Sequence, residues 1–314
     1  MEILITDGLE AEAIAALRAV HEVDVRELDA SSLHEAIPGY AALIVRSRTK
    51  VSKEVLSSGT NLKVVGRAGV GVDNIDVEAA TSRRIVVVNA PTASTVSVAE
   101  LAMGHMISLV RHLPAADRSV KEGKWEKKRF EGRELFEKTL GLLGSGRIGG
   151  EVAKRAQAFG MRVISYDPYL SLPTAEGLGI LLVDKDTLFR QADVLSIHAA
   201  LTAETRGMVG PVELSQMKRT AILVNCARGE IVQELALADA LRAGTIAGAA
   251  VDVFEREPPA GSPLLEAPNI VFTPHLGAST HEAQVRAGAI IADQVLRVLA
   301  GKRPDYLVNP RVYD

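Results

Sequence analysis

The sequence predicts an α/β fold of two Rossmann-like or flavodoxin-like doubly wound parallel-sheet domains with a cleft between them. Short Val-, Ile- and Leu-rich runs alternate with helix-like stretches through both halves of the chain, the pattern of parallel sheet covered by helices. A glycine-rich turn stands between a strand-like and a helix-like segment near the middle. The length, 314 residues, corresponds to about two domains.

In chain order, residues 2–6, 23–26, 41–46, 62–66 and 85–89 read as buried strands, each a short apolar run bounded by polar or turn-forming residues. Helical patterns lie between them at 10–20, 52–57 and 76–82. After Pro91, residues 96–113 read as a helix buried on most sides, followed by a basic and polar arm, 121–138, that holds the single tryptophan, Trp125. A second series places strands at 139–143, 162–166, 194–198, 221–225, 247–251 and 269–273, with a helix at 151–159. A long helical pattern at 280–300 precedes a tail with Pro304 and Pro310. The long helices on either side of the second series are natural crossings, so the first domain is expected to be discontinuous. It takes residues 1–95 and 283–314 and encloses a second domain, 96–282.

Composition narrows the function. Hydrophobic residues make up 47% and charged residues 24%, which is ordinary globular usage. The 36 basic and 39 acidic residues give a formal charge of −3, which disfavours nucleic acid as a main partner. One cysteine, Cys226, excludes an intrachain disulfide and fits a reducing compartment. The N-terminus lacks the charge and apolar run of a signal peptide, and no apolar run approaches the ~18 residues of a membrane span. A cytoplasmic protein with no membrane partner is expected.

Gly144-Ser145-Gly146-Arg147-Ile148-Gly149 is a G-x-G-x-x-G, a weak signal alone in a chain with 26 glycines. Its context strengthens it. Glycines allow a tight turn and close backbone approach to a pyrophosphate, and the following helix offers free N–H groups and a partial positive charge. Asp167 ends the next strand about 20 residues on, where a carboxylate accepts from ribose hydroxyls and repels a 2′-phosphate, which favours NAD over NADP. The plainer alternative is a tight turn with an exposed aspartate.

Three further loops follow strands and would face the same edge: Asn225-Cys226-Ala227-Arg228-Gly229, 252–259 with Glu257, and Pro274-His275-Leu276-Gly277-Ala278-Ser279. Arginine holds a carboxylate with two charge-assisted bonds. Histidine exchanges a proton with an alcohol or ketone oxygen, and a glutamate on its other nitrogen fixes the tautomer and favours the charged ring. Together these suit hydride chemistry on a 2-hydroxy or 2-keto acid. Singly, Arg228 reads equally as a strand-end cap, Glu257 as a solvated turn residue and His275 as a structural histidine. His105 and His112 read as packing or edge residues of the apolar helix, and His198 as a strand end beside the adenine. No metal-ligand spacing and no G-x-S-x-G turn appear, so no metal is expected.

These residues resemble the D-isomer-specific 2-hydroxyacid dehydrogenases over nearly the whole chain. The resemblance rests on Val45-Arg46-Ser47 with Thr49-Lys50-Val51, on 66–74, the glycine turn, 224–229, 252–259 and 275–280. It implies catalytic roles for Arg228, Glu257 and His275, with 96–282 binding NAD and the discontinuous domain binding substrate. Arg228, Arg46 and the backbone of Ala68 and Gly69 would contact substrate. Gly144, Gly146, Arg147, Ile148 and Gly149 would contact the pyrophosphate, Asp167 the ribose and Asp252 the nicotinamide carboxamide. Val70, Ala199, Cys226, Ala227, Leu276, Gly277 and Ala278 would border the cofactor.

The resemblance implies oxidation of D-3-phosphoglycerate to 3-phosphohydroxypyruvate; Arg46, Arg48 and Lys50 cluster after a strand and suit a substrate phosphate, the plainer alternative being an ordinary basic loop. Departures from the family pattern are Glu230 after Arg-Gly, His198-Ala199-Ala200, and Pro91-Thr92-Ala93-Ser94. Reduction of glyoxylate or hydroxypyruvate is the nearest alternative, and a non-catalytic NAD-sensing protein a rival from another class. A homodimer is implied, with 96–138 as the contact region. The chain ends near the point where longer members continue into regulatory domains; if it is complete, feedback through such a domain is not expected.

Overall fold

A computed structural model describes residues 1–314. The chain divides into two compact units, Met1–Ser94 with Ala278–Asp314, and Thr95–Gly277. The breaks fall one residue before the expected first boundary and five before the second. None of the helices is long and apolar enough to cross a membrane.

The first unit holds β1 (Glu2–Ile5), α1 (Ala11–Arg18), β2 (Glu22–Val25), α2 (Ala30–Ala36), β3 (Ala42–Val45), α3 (Lys53–Ser58), β4 (Val64–Arg67), α4 (Val77–Ser82) and β5 (Val86–Asn89). All five strands are parallel in the order β2-β1-β3-β4-β5, the flavodoxin-like winding. Strands β3 and β5 are buried on nearly every residue, as parallel strands covered on both faces must be. Asp29, Ser52 and Asp76 cap α2, α3 and α4 through their side chains.

The second unit opens with α5 (Thr95–Val110) and α6 (Leu113–Lys121). The single helix expected over 96–113 therefore breaks: His112 takes a left-handed φ of +54° and Pro114 sits in the first turn of α6. Proline lacks the N–H that would bond the Val110 carbonyl and continue the ladder, so it suits the first turn of a new helix and not the interior of one long helix. The sheet then runs through β6 (Thr139–Leu143), α7 (Arg147–Ala158), β7 (Arg162–Tyr166), α8 (Leu172–Gly177), β8 (Leu181–Leu182), α9 (Lys185–Gln191), β9 (Val194–Ile197), α10 (Pro211–Gln216), β10 (Ile222–Asn225), α11 (Glu234–Arg242), β11 (Gly248–Val251) and β12 (Ile270–Phe272). Its order is β12-β11-β10-β9-β6-β7-β8, all parallel. This is the Rossmann order with one further strand, and it reverses direction between β6 and β9. The two-residue β8 had no expected counterpart, being too short to show a pattern.

Each sheet carries a core on both faces. In the second unit, Val98, Ala102 and Met106 of α5 pack with Val152 and Ala156 of α7 on one face, while Leu188, Phe189, Leu214, Leu237 and Leu241 cover the other. In the first unit, α12 (His281–Leu299) joins α1 on one face, with Ile291 and Val295 buried. Helices α2, α3 and α4 cover the opposite face. Gly66 of β4 admits α12 closely: a Cβ there would lie 2.9 Å from Val295 Cγ2. Substitution Gly66→Val is therefore expected to destabilise this unit by about 1–3 kcal/mol, seen as a lower urea midpoint, and an unchanged midpoint would refute the close packing.

Candidate active site

Parallel strands all leave their sheet at the same end, so the loops after β6, β7, β9, β10, β11 and β12 line one edge of the second unit. Gly144 takes φ +87°, and a Cβ on it would lie 2.7 Å from the Ala199 nitrogen. A Cβ on Gly149 would lie 2.5 Å from the Gly144 oxygen. Packing thus demands two of the three glycines. Gly146 differs: no atom lies within 4 Å of where its Cβ would be, and it caps α7 without a side-chain hydrogen bond. Arg147 and Ile148 begin that helix.

Asp167 accepts from the backbone N–H groups of Ser145, at 2.8 Å, and Tyr169, at 3.0 Å, through different oxygens. Lone pairs remain on both oxygens for further donors. Burial pushes the His198 pKa down to about 4, so its ring is neutral. One ring nitrogen meets Ser196 Oγ at 2.8 Å, while Nδ1 is buried without a protein partner. An uncapped helix start, an open cradle at Gly146, an acid after β7 and an unpartnered buried nitrogen fit a dinucleotide.

The turn after β10 is tied by one buried amide: Asn225 accepts from Ala227 N and donates to Arg228 O, both at 3.0 Å. Arg228 donates to Ala227 O at 2.8 Å. Gly229 has no space for a side chain, since a Cβ would lie 1.9 Å from the Phe254 carbonyl carbon. Cys226 is buried, and burial followed by the Asp252 charge pushes its thiol pKa up, so it is no nucleophile. Glu230, a departure from the family pattern, lies 3.8 Å from Arg206 as a loose ion pair.

The loop after β11 is braced by Glu234, a buried carboxylate on α11. It accepts from Glu255 N at 2.8 Å and from Ser262 Oγ. No local signal in the sequence marks Glu234, because its partners are more than 20 residues away. The braced loop presents Glu257, whose oxygens lie 2.8 and 3.1 Å from His275 Nδ1. Nδ1–H therefore donates to the carboxylate, which leaves Nε2 to exchange a proton. The Glu257 bond is the main influence on His275 and outweighs burial; with the Glu257 and Asp252 charges it holds the imidazole pKa above its ordinary value, against the Arg228 charge. Burial pushes Glu257 up, but the His275 bond and charge, Phe254 N–H and the Arg228 charge together hold it below the ordinary value. Arg228 thus acts electrostatically on both partners. Asp252 is buried and accepts from Leu276 N at 2.7 Å and Gly277 N at 2.9 Å, fixing the turn around His275.

The first unit carries Arg46, Ala68, Gly69, Val70 and Ala278. Arg46 forms a two-pronged pair with Glu10 at 2.8 Å. Arg48 pairs with Asp7 at 3.2 Å and Glu27 at 3.0 Å. Asp7 also accepts from the backbone of Arg46 and Thr49, and Asn74 donates to the carbonyls of both, so the 46–50 turn is held from two sides. The amides of Ala68 and Gly69, expected to be offered to a carboxylate, already donate to Val45 O at 2.9 Å and Arg67 O at 2.8 Å. The β3–β4 ladder claims the first and a tight turn the second.

A sequence model of the D-isomer specific 2-hydroxyacid dehydrogenase, NAD binding domain, matches residues 103–277. A D-3-phosphoglycerate dehydrogenase of Methanocaldococcus jannaschii is 51% identical over 98% of this chain and 59% of its own length. The chain spans 56 to 59% of the length of three such curated relatives. Among solved structures, a Thermus thermophilus protein aligns with TM-score 0.90 and 36% identity over 98% of this chain and all of its own. A glyoxylate reductase from Paecilomyes thermophila aligns with TM-score 0.89 and 31% identity over 98% of both chains.

The pair sets a pH window. His275, raised above 6.5, contributes stability that is full below pH 6.5 and lost as pH rises through its folded value. Glu257, lowered below 4.5, contributes stability present above pH 4.5 and lost as pH falls through its folded value. The stability difference between wild type and Glu257→Gln should therefore be largest between these two pH values and shrink on either side, as pH rises through the folded His275 value or falls through the folded Glu257 value. By NMR the wild-type His275 imidazole should titrate above 6.5 and fall in Glu257→Gln. A wild-type midpoint at or below 6.5 would contradict the pairing.

Proposed function

Since the chain belongs to the D-isomer specific 2-hydroxyacid dehydrogenases, we propose that it oxidises D-3-phosphoglycerate to 3-phosphohydroxypyruvate with NAD, the step that opens serine biosynthesis. The observation that carries this reading is the His275–Glu257 bond of 2.8 Å on the sheet edge that also holds Arg228 and the glycine turn. Bound NAD would supply the acceptor for the hydride that leaves substrate C2. Arg228 holds the substrate carboxylate and orients C2. His275 takes the hydroxyl proton at Nε2, and Glu257 stabilises the imidazolium so formed. In the reverse direction His275 returns the proton to the ketone oxygen.

For the cofactor, Gly144, Gly146, Gly149, Arg147 and Ile148 would hold the pyrophosphate. Asp167 would take the ribose hydroxyls and reject a 2′-phosphate. Asp252 Oδ2, which accepts from Gly277 N, would offer its remaining lone pairs to the carboxamide. Ala199, Cys226, Ala227, Leu276, Gly277, Val70 and Ala278 would border it. Arg46 would approach the substrate phosphate, with Arg48 and Lys50 beside it.

One observation favours a second reading, reduction of glyoxylate or hydroxypyruvate. Arg46 and Arg48 already face Glu10, Asp7 and Glu27, which offset their charge toward a phosphate. We further propose a cytoplasmic homodimer. The arm after α5 leaves Trp125 85% and Val120 57% exposed, and a cavity of about 710 Å³ opens beside it, lined by Leu109, Pro114 and Leu135. Apolar exposure of this kind marks association surfaces.

Kinetics with a panel of 2-keto acids and NADH should give the highest kcat/KM for 3-phosphohydroxypyruvate, and His275→Ala should lower turnover about 10²–10⁴-fold while NADH still binds. Arg46→Ala should lower kcat/KM for the phosphorylated substrate selectively; no selective loss would remove the phosphate role, and intact turnover in His275→Ala would remove the catalytic one. Sedimentation velocity should show a dimer that Val120→Asp weakens, and a monomer for wild type would refute that proposal.

A further inference from the structure

We propose that His105 is a positioning residue for this reaction: through Thr273 and Asp252 it holds the turn that presents His275. The inference rests on His275 being the acid–base group. His105 lies on α5 and is buried, 3% exposed. Its Nε2 is 3.1 Å from Thr273 Oγ1, and Thr273 Oγ1 is 2.5 Å from Asp252 Oδ1.

Proton counting orders the chain. A carboxylate only accepts, so the single hydroxyl proton of Thr273 goes to Asp252. Thr273 must then accept from His105, which fixes the His105 ring as its Nε2–H tautomer. Burial lowers the His105 pKa against the opposing Asp252 charge, which agrees with a neutral ring carrying one N–H. Asp252 Oδ1 also accepts from Leu276 N at 2.7 Å, and Oδ2 from Gly277 N at 2.9 Å. The His275 N–H itself donates to the Asp252 carbonyl at 2.9 Å.

His275 sits at φ +54°, a left-handed conformation that L-residues adopt only where their surroundings hold it. Those surroundings are the Asp252 bonds on the C-terminal side of His275, and the far end of their support is His105. A leucine at 105 would keep the packing of α5 and remove the donor. Thr273 Oγ1 would then be free to turn away from Asp252, and the turn would lose its fixed register against Glu257.

The test uses the full chain. His105→Leu should lower kcat for keto-acid reduction about tenfold while the KM and the NADH Kd stay within about twofold. His105→Gln, whose side-chain amide reaches and donates as Nε2–H does, should retain most of the wild-type kcat. Independently of turnover, NMR titration of the cofactor-free protein should show the His275 midpoint moving toward 6.5 in His105→Leu and not in His105→Gln. If His105→Leu does not fold, Thr273→Val carries the same measurements. The inference is overturned if His105→Leu keeps both the wild-type kcat and the wild-type His275 midpoint, or if glutamine fails as leucine does. Loss of turnover in His275→Ala alongside a wild-type kcat and His275 midpoint in His105→Leu would sink the inference alone, whereas an active His275→Ala would sink the underlying reading.

Discussion

A carboxylate 2.8 Å from an imidazole settles three properties of the site together. The Glu257–His275 bond selects the tautomer, orients the ring and raises its affinity for a proton. Neither partner achieves this alone, since each stands on a separate loop, 18 residues apart. The sheet supplies the meeting point. Parallel winding brings the ends of β10, β11 and β12 to one edge, so Arg228, Glu257 and His275 need only short loops to converge.

Short loops are not rigid by themselves, and buried polar side chains make them so. Asn225 ties the arginine turn, Glu234 braces the glutamate loop, and Asp252 fixes the histidine turn. Each satisfies backbone N–H or C=O groups that burial would otherwise leave at a cost of about 1–3 kcal/mol apiece. Gly229 adds a steric condition, because only a residue without Cβ passes the Phe254 backbone. The strain of a left-handed His275 is thereby spread over several hydrogen bonds.

Much of this was legible in the chain itself. The strand at Thr139–Leu143 and the one at Arg162–Tyr166 coincide with their apolar runs, since a buried parallel strand is a continuous hydrophobic segment. The glycine turn was readable because its neighbours, Thr139–Leu143 and Arg147–Ala158, are local. What stayed hidden depends on distance in sequence. Glu234 looks like any helical acid until Glu255 and Ser262 are placed beside it, and His105 looks like packing until Thr273 faces it. The commitment of the Ala68 and Gly69 amides, and the pairing of Arg46 with Glu10, likewise follow from register and folding. The break at His112 is different: Pro114 signals it, but the largely apolar stretch before Arg111, and Leu113 beyond it, carry the helical pattern past the stop.

The proposed chemistry therefore depends on a proton held at His275 by the charge of Glu257. Its most direct test is the pH dependence of kcat/KM for keto-acid reduction in wild type and Glu257→Gln. Reduction needs the protonated ring, so the wild-type rate should fall only as pH climbs past a value above 6.5, and the limb in Glu257→Gln should lie at lower pH. Superimposable limbs in the two proteins would contradict the account.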